Sequence, residues 1–180
     1  MRDPASRRPV ESAVIAMHMS VLRRMRNLMV LAALLLCTAG CQGGFPADAQ
    51  GTLERATGGE LRVGIAENPP WTDVAPDGTV SGSEVELLED YAETIGAEIR
   101  WVPGGENVLA AEMVEGNIDL VIGGLAADVP WTAEIALTRP YTAAQGPDGK
   151  PVDIVMGVQP GENALQVDLE RFLAERGGEL

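Results

Sequence analysis

Two segments of the chain show clear periodic spacing of hydrophobic residues. Between residues 61 and 65, hydrophobic residues alternate with polar or small ones, which predicts a short β-strand. From Ser83 onward, hydrophobic residues recur at helical spacing as far as Ile95, and Gly96 follows as a left-handed stop. Ser83, with Glu86 three residues later, predicts a capping box at the start of this helix.

The same order of elements continues toward the C-terminus. The pattern predicts a strand over 99–102, a helix over 108–115, an apolar strand over 120–122, a strand over 154–158 and a helix over 163–176. Strands that alternate with helices pair in parallel, and fully apolar strands need cover on both faces. The predicted fold is therefore α/β, with a small mainly parallel sheet, helices on both faces and a single domain.

The N-terminal region has a different pattern. A basic cluster over 23–26 precedes an unbroken apolar run over 28–36, which predicts a secretory signal peptide within residues 1–40. The run is shorter than the roughly 18 residues that cross a bilayer, so a permanent membrane helix is the less favoured alternative. The true start stays open among three methionines, Met17, Met19 and Met25.

Cys41 follows Thr38, Ala39 and Gly40, and this tetrapeptide resembles a bacterial lipobox. The resemblance implies cleavage before Cys41 and a lipid on its thiol, which would anchor the protein to the membrane in the cell envelope, outside the cytoplasm. Residues 42–59 are rich in Gly, Ala, Gln and Thr without hydrophobic periodicity. We expect them to form a flexible tether between the lipidated cysteine and a domain that spans 60–180.

Charge and residue inventory exclude several functions. The formal net charge is −14, so phosphates repel the chain and nucleic acid is excluded as a partner. The single histidine, His18, lies in the signal, and Ser81 and Ser83 are the only serines after Cys41. No Ser-His or Cys-His unit and no zinc site with imidazole or free thiolate ligands can form, which leaves paired carboxylates as the one catalytic alternative. We expect neither enzyme activity nor a cofactor.

Four motifs, in order and spacing, resemble the first lobe of the family 3 solute-binding proteins that serve ABC importers. They read LRVGIAENPPW, DGTVSGSEVELLEDYAETIG, MVEGNIDLVIGGL and ALTRPY, and they cover residues 60–141. The resemblance implies a lobe of the type II periplasmic binding protein-like fold. It also implies a ligand clamped between two lobes and an ABC permease as partner.

The second lobe of that family is missing here. In the family, a long segment separates the Pro-Tyr motif from a returning strand and helix of the first lobe, whereas only 142–152 intervenes in this chain. We interpret 154–176 as the returning strand and helix, and 142–151 as a loop. The chain is therefore expected to be one lobe that is closed between 141 and 153, where the second lobe would be inserted.

Candidate ligand residues follow the first predicted strand, since open parallel sheets bind ligands at the carboxyl ends of their strands. Glu67 and Asn68 can hydrogen-bond a polar or cationic ligand, and Trp71 offers a cation–π face. The alternatives are a solvated loop acid at Glu67 and a tryptophan that caps the edge of the core.

Two further candidates depart from the family pattern. Gly124 follows the third predicted strand, where the family has a serine-rich turn, so it would offer a backbone N–H and no hydroxyl. Trp131 stands where amino-acid binders of the family carry an arginine, so the bidentate clamp on a ligand carboxylate is lost.

Three charged residues near these candidates are interpreted as structural. Glu84 and Glu86 lie at the start of a helix, where carboxylates stabilise the positive end of the helix dipole. Arg139 is expected to pair with an acid near the closed junction.

Two functions remain open. The first is a membrane-anchored solute-binding protein, a component of or accessory to an ABC-type import system for a small polar solute, completed by a second-lobe partner protein or by dimerisation. The alternative is an interaction module that kept the lobe surface for a partner protein and lost ligand binding. Because good pockets bury about 70–90% of a ligand and one lobe offers one wall, we expect weak binding of free amino acids by the monomer.

Overall fold

The computed structural model describes residues 17–19, 22–27, 29, 46–128, 135–146 and 148–177. The chain divides into two units, Met1–Gly44 and Phe45–Leu180, and the elements named below lie in the second. No helix among the described residues is long and apolar enough to cross a bilayer. Cys41 and Trp131 lie outside the described residues.

The second unit contains four helices and eight strands within its described residues. In chain order they are α1 (Thr52–Ala56), β1 (Glu60–Ile65), β2 (Asp73–Val74), β3 (Val80–Ser81), α2 (Ser83–Ile95), β4 (Glu98–Pro103), α3 (Glu106–Val114), β5 (Leu120–Ala126), β6 (Ala136–Leu137), β7 (Thr142–Gln145), β8 (Pro151–Val158) and α4 (Asn163–Gly177).

Three parallel strands form one side of the main sheet. β1 lies between β4 and β5, with Leu61 opposite Ile99 and Val63 opposite Leu120. Leu61 and Val63 are fully buried, because the alternation in this segment turns both toward the same face. β8 pairs antiparallel with β5, and β6 and β7 pair antiparallel with β8. The predicted α/β lobe with a mainly parallel sheet is confirmed.

Apolar side chains pack on both faces of the sheet. One cluster includes Ile122 with Leu88 of α2 and Leu165 of α4. The other includes Val121 with Leu109 of α3. Neighbouring residues of β5 thus point to opposite faces, and helices cover both faces, as the apolar strand predicted.

The start of α2 differs from the predicted capping box. Gly82 is the N-cap residue, and no side chain makes a capping hydrogen bond. The first helical N–H groups instead donate to backbone carbonyls of the preceding loop, Glu84 N to Trp71 O at 3.0 Å and Ser83 N to Pro70 O at 3.3 Å. A Cβ at Gly82 would lie 2.3 Å from the Trp71 oxygen, so the close approach of loop and helix requires glycine. Gly96 ends the helix with φ 67°, as predicted.

The tether prediction is wrong for the segment from Asp48 to Gly59. The carboxylate of Asp48 accepts hydrogen bonds from Leu53 N at 2.7 Å and from Ala164 N at 2.6 Å, at the starts of α1 and α4. Glu162 accepts from Thr52 N at 3.0 Å. Each acid therefore binds free N–H groups of a helix distant in sequence, and α1 packs on the lobe. Local hydrophobic periodicity could not reveal bonds between partners 110 or more residues apart.

The predicted closing loop contains a strand. β7 pairs with the first half of β8, Thr142 opposite Ile154 and Gln145 opposite Pro151, and makes a hairpin. Near the hairpin tip, Gly146 N donates to Lys150 O at 2.7 Å, and Asp148 forms an ion pair with Lys150 at 2.9 Å. A hairpin thus joins the Pro-Tyr motif to the returning strand.

A buried ion pair stabilises the amino-terminal end of the parallel strands. Asp119 is fully buried and accepts hydrogen bonds from Arg62 Nη2 at 2.5 Å and from Arg55 Nη2 at 2.6 Å. Burial acts to raise the pKa of Asp119, but the bonds from Arg62 and Arg55 outweigh it and hold the pKa below its usual range. This cluster lies at the far end of the sheet from the predicted ligand residues.

Candidate functional site

A groove of about 560 Å³ opens at the carboxyl ends of β1 and β4. Its lining includes the apolar residues Val74 and Pro103 and the carboxylate residues Glu67 and Glu106. Both glutamates are exposed to solvent. Parallel sheets bind ligands at this end of their strands, so the groove is the candidate ligand site, and it includes the predicted residue Glu67.

Asn68 has an intramolecular role that the sequence did not suggest. Its side-chain amide donates to the carbonyl of Gly123 at 2.7 Å and ties the loop after β1 to β5. Its backbone N–H donates to Thr72 Oγ1 at 3.0 Å, and the buried Thr72 hydroxyl donates to Ala66 O at 2.5 Å. Asn68 is not among the groove-lining residues. The structure therefore uses it to hold the loop.

Trp71 lies against the backbone of Gly124. A Cβ at Gly124 would stand 2.3 Å from Trp71 Cδ1, and Gly124 has φ 62°, so both space and backbone conformation require glycine. Trp71 is half-buried and lies outside the groove lining. The ring therefore rests on the β5 backbone, and its contact with a ligand stays a prediction.

The sequence did not predict the role of Glu84 in the fold. It is fully buried, and its Oε2 accepts the N–H groups of Gly123 and Gly124, each at 2.8 Å. Its Oε1 accepts the hydroxyl of Tyr141. Glu84 is the second residue of α2, where a glutamate stabilises the positive end of the helix dipole whether it is buried or exposed. No local signal in the sequence therefore distinguished this buried carboxylate from an exposed one.

The backbone N–H of Gly124 is therefore occupied from within the protein. The prediction that this N–H would meet a ligand needs correction, since Glu84 already accepts its hydrogen bond. Burial raises the pKa of Glu84, against the opposing effect of the bonds from Tyr141 and the two glycines. Burial also raises the pKa of Tyr141, and the nearby charge of Glu84 adds to this.

Arg139 is paired with an acid within the described part of the chain. Arg139 Nε lies 3.5 Å from Glu170 Oε2 on the surface, which matches the expected structural pairing. The described residues contain no group of three or more His, Cys, Asp or Glu side chains placed to hold a metal ion. The remaining predicted residues, Trp131 and Cys41, have no described structure.

Comparisons with known proteins agree with a single lobe. A "Probable histidine-binding protein" of Campylobacter jejuni is 28% identical over 81 residues, which cover 45% of this chain and 32% of that protein. The chain thus spans about a third of that relative's length. The arginine-bound form of domain 1 from TmArgBP is 25% identical, with a TM-score of 0.58, and the match covers 68% of this chain and 97% of that one.

A more distant structure shares the fold. The L-cystine solute receptor of Neisseria gonorrhoeae, in its unliganded open conformation, is 13% identical with a TM-score of 0.57, over 70% of this chain and 91% of that one. The family model of the bacterial extracellular solute-binding proteins, family 3, matches residues 61–175. These relatives are solute-binding proteins and not enzymes. The chain belongs to the bacterial extracellular solute-binding proteins, family 3.

Proposed function

We propose that this protein is a lipid-anchored, extracytoplasmic binding protein for a small polar solute, and that it serves an ABC-type import system. The observation that carries the proposal is the groove at the carboxyl ends of β1 and β4 in a family 3 lobe. Apolar contacts from Val74 and Pro103 and hydrogen bonds to Glu67 and Glu106 suit a small solute with an apolar body and a polar end.

A single lobe is compatible with this function. The relative described as the arginine-bound form of domain 1 from TmArgBP is itself a first lobe with its ligand. By analogy, the groove of this chain holds a solute on one wall, and affinity is lower than in a closed two-lobed cleft because less of the ligand is buried. A partner protein or a second copy would supply the other wall.

Ligand-induced stabilisation tests the solute-binding part. We expect a panel of amino acids and polyamines to contain compounds that raise the melting temperature of the full chain, purified in mild detergent. The shift should disappear in the double variant Glu67→Gln/Glu106→Gln. Glu98→Gln serves as the matched control, because Glu98 is exposed at the opposite end of β4. An equal shift in the double variant would refute the groove as the site.

The membrane anchor rests on Cys41 and the signal that precedes it. We expect Cys41→Ser to release the protein from membranes, because the lipid would be the one hydrophobic anchor left after signal cleavage. Fractionation of cells after a high-salt wash measures this. Retention of the variant in the membrane pellet would contradict the lipobox. Genes for a permease and an ATPase beside this gene would support the import role.

The second candidate function is an interaction module without a ligand. The β7–β8 hairpin favours this function. The hairpin connects Tyr141 directly to β8, at the point where family members would have the second lobe that forms the other wall of the ligand site. A full chain that shows no stabilisation by any solute of the panel, alone or with a partner, would favour this alternative.

A further inference from the structure

The strand β7 has one edge that pairs with no strand in the described part of the chain. Ile154 of β8 pairs with Ala126 of β5 and also with Thr142 of β7, so β5 and β7 lie on opposite sides of β8. β7 is therefore the outermost strand at this point of the sheet. The free edge of an outermost strand presents backbone N–H and C=O groups that can pair with another chain.

β7 lacks the features that keep free edges from pairing. Charged side chains, proline and bulges are the usual protection of such edges. β7 contains neither a charge nor a proline, and the side chains at its two ends, Thr142 and Gln145, are exposed. β4, the outermost strand on the other side of the sheet, is protected, because Arg100 forms an exposed ion pair with Glu60 and the strand ends in Pro103. The contrast favours β7 as the edge that pairs.

The sequence of β7 is complementary to itself in an antiparallel pair. A two-fold axis between Ala143 and Ala144 sets each alanine opposite the other alanine of a second copy, and Thr142 opposite Gln145. None of these four residues is charged, so the pair contains no like-charge contact. The net charge of −14 otherwise keeps copies of this chain apart. A second copy is therefore the occupant that this edge fits.

The charges that flank β7 have opposite signs. Arg139 lies three residues before the strand, and Asp148 lies three residues after it. Antiparallel pairing brings Arg139 of each copy to the end of the pair where Asp148 of the other copy lies, so this attraction occurs twice. The two side chains are 67% and 57% exposed. Each has an ion-pair partner in its own chain, and exposed pairs of this kind are weak enough to share that partner.

The position of β7 connects this edge with the solute groove. Thr142 lies beside Ile154, which is opposite Ala126 at the end of β5, and β5 runs parallel to β1. β7 thus lies at the carboxyl-terminal end of the parallel strands, where the groove opens. A second copy paired on β7 stands at the end of the lobe that carries the groove.

We propose that β7 is a dimerisation strand, on which two copies pair antiparallel, and that the second copy supplies the other wall of the solute site. The role as a second wall rests on the proposed solute binding, whereas the pairing itself does not.

Sedimentation equilibrium of the full chain in mild detergent tests the pairing. Thr142→Glu/Gln145→Glu sets like charges opposite each other at both ends of the pair, so the dimer dissociation constant should rise at least about tenfold. Thr142→Lys/Gln145→Glu sets opposite charges there and should dimerise at least as tightly as the wild type. Thr79→Glu/Asn107→Glu adds the same negative charge at exposed positions outside β7 and serves as the control.

Two results would overturn the pairing. One is a wild-type chain that stays monomeric at about 100 μM. The other is a Thr142→Glu/Gln145→Glu variant that associates as tightly as the control, which is the behaviour of chains that merely share a detergent micelle.

The melting temperature decides the role of the second wall separately. A compound of the amino-acid and polyamine panel that stabilises the wild type should stabilise Thr142→Glu/Gln145→Glu less, because the monomer buries less of the solute. Equal shifts in the two proteins would leave the pairing intact and overturn the second wall. If no compound stabilises either protein, solute binding fails and the second wall fails with it, while sedimentation still decides the pairing.

Discussion

The carboxylate of Glu84 accepts a hydrogen bond from the hydroxyl of Tyr141, and this contact joins the first turn of α2 to the segment just before β7. Tyr141 is the last residue before the hairpin that closes the lobe, so one buried carboxylate links the middle of β5, the start of α2 and the closing junction. We expect this link to control both the stability of the lobe and its dependence on pH.

Substitution of Glu84 should change that pH dependence. Because burial raises the pKa of Glu84 above its unfolded value, its contribution to stability is largest below the ordinary carboxyl pKa of about 4.3 and declines as pH rises through the raised pKa. Glu84→Gln removes the titration. Thermal unfolding between about pH 4 and 8 should therefore show the wild type losing stability relative to the variant as pH rises. Glu86→Gln, an exposed residue of the same helix, controls for the lost charge. A constant difference across this range would contradict the account.

The contribution of Asp119 to stability should change with pH in the opposite direction to that of Glu84. Because the pKa of Asp119 is lowered in the folded protein, its contribution to the free energy of unfolding is present above the ordinary aspartate pKa. That contribution is lost as pH falls through the lowered pKa. Asp119→Asn should destabilise the protein by about 3 kcal/mol at pH 7, because it leaves Arg62 and Arg55 without their buried partner. Urea unfolding measures this cost. Asp148→Asn breaks an exposed pair in the hairpin and should cost less than about 1 kcal/mol. Equal costs for the two variants would show that the buried cluster adds no stability of its own.

Local and distant features of the sequence differ in what they predict. The strand at 61–65, the helix that ends at Gly96 and the returning helix after 163 follow from spacing and stop signals, and the structure confirms them. Glu84 could not be interpreted in this way, because its partners lie 39 to 57 residues away in the chain. The same holds for the bonds of Asp48 to α4, whose partners lie 116 and 117 residues away. The strand β7 was missed because Thr142 to Gln145 is short and lacks hydrophobic alternation, and its pairing with β8 depends on the hairpin.

The two helix-capping acids should hold the N-terminal segment on the lobe. Asp48→Ala removes the acceptor for N–H groups at the starts of α1 and α4, which should cost about 1–2 kcal/mol and expose residues 46–59 to proteases. Limited proteolysis followed by mass spectrometry locates the cuts. Glu54→Ala removes an exposed acid from α1 and serves as the control. Cleavage in this segment at the same rate in both variants would contradict the capping role.

Substitution of Gly124 by alanine should destabilise the protein because the new Cβ would clash with the ring of Trp71. Gly124→Ala places a Cβ against the indole ring and also strains a left-handed backbone. Gly78→Ala imposes a similar backbone strain, at φ 87°, but its Cβ would meet nothing within 4 Å. Both variants should lose about 1 kcal/mol from strain, and only Gly124→Ala should lose more and shift the tryptophan emission. Identical emission spectra for the two variants would show that Trp71 does not rest on Gly124 in solution.

The position of the bound solute tests the central claim most directly. In two-dimensional ¹H–¹⁵N NMR spectra of the full chain in mild detergent, titration with the compound of the amino-acid and polyamine panel that raises the melting temperature most should shift the backbone amides of Ala66, Glu67, Gly104 and Gly105, which line the groove. A second cavity of about 580 Å³, lined by Gly51 and Thr57 among others, provides the internal comparison, and its amides should not move. Shifts confined to that second cavity, or no shifts at a saturating concentration of that compound, would contradict the assignment of the solute site to the carboxyl ends of β1 and β4.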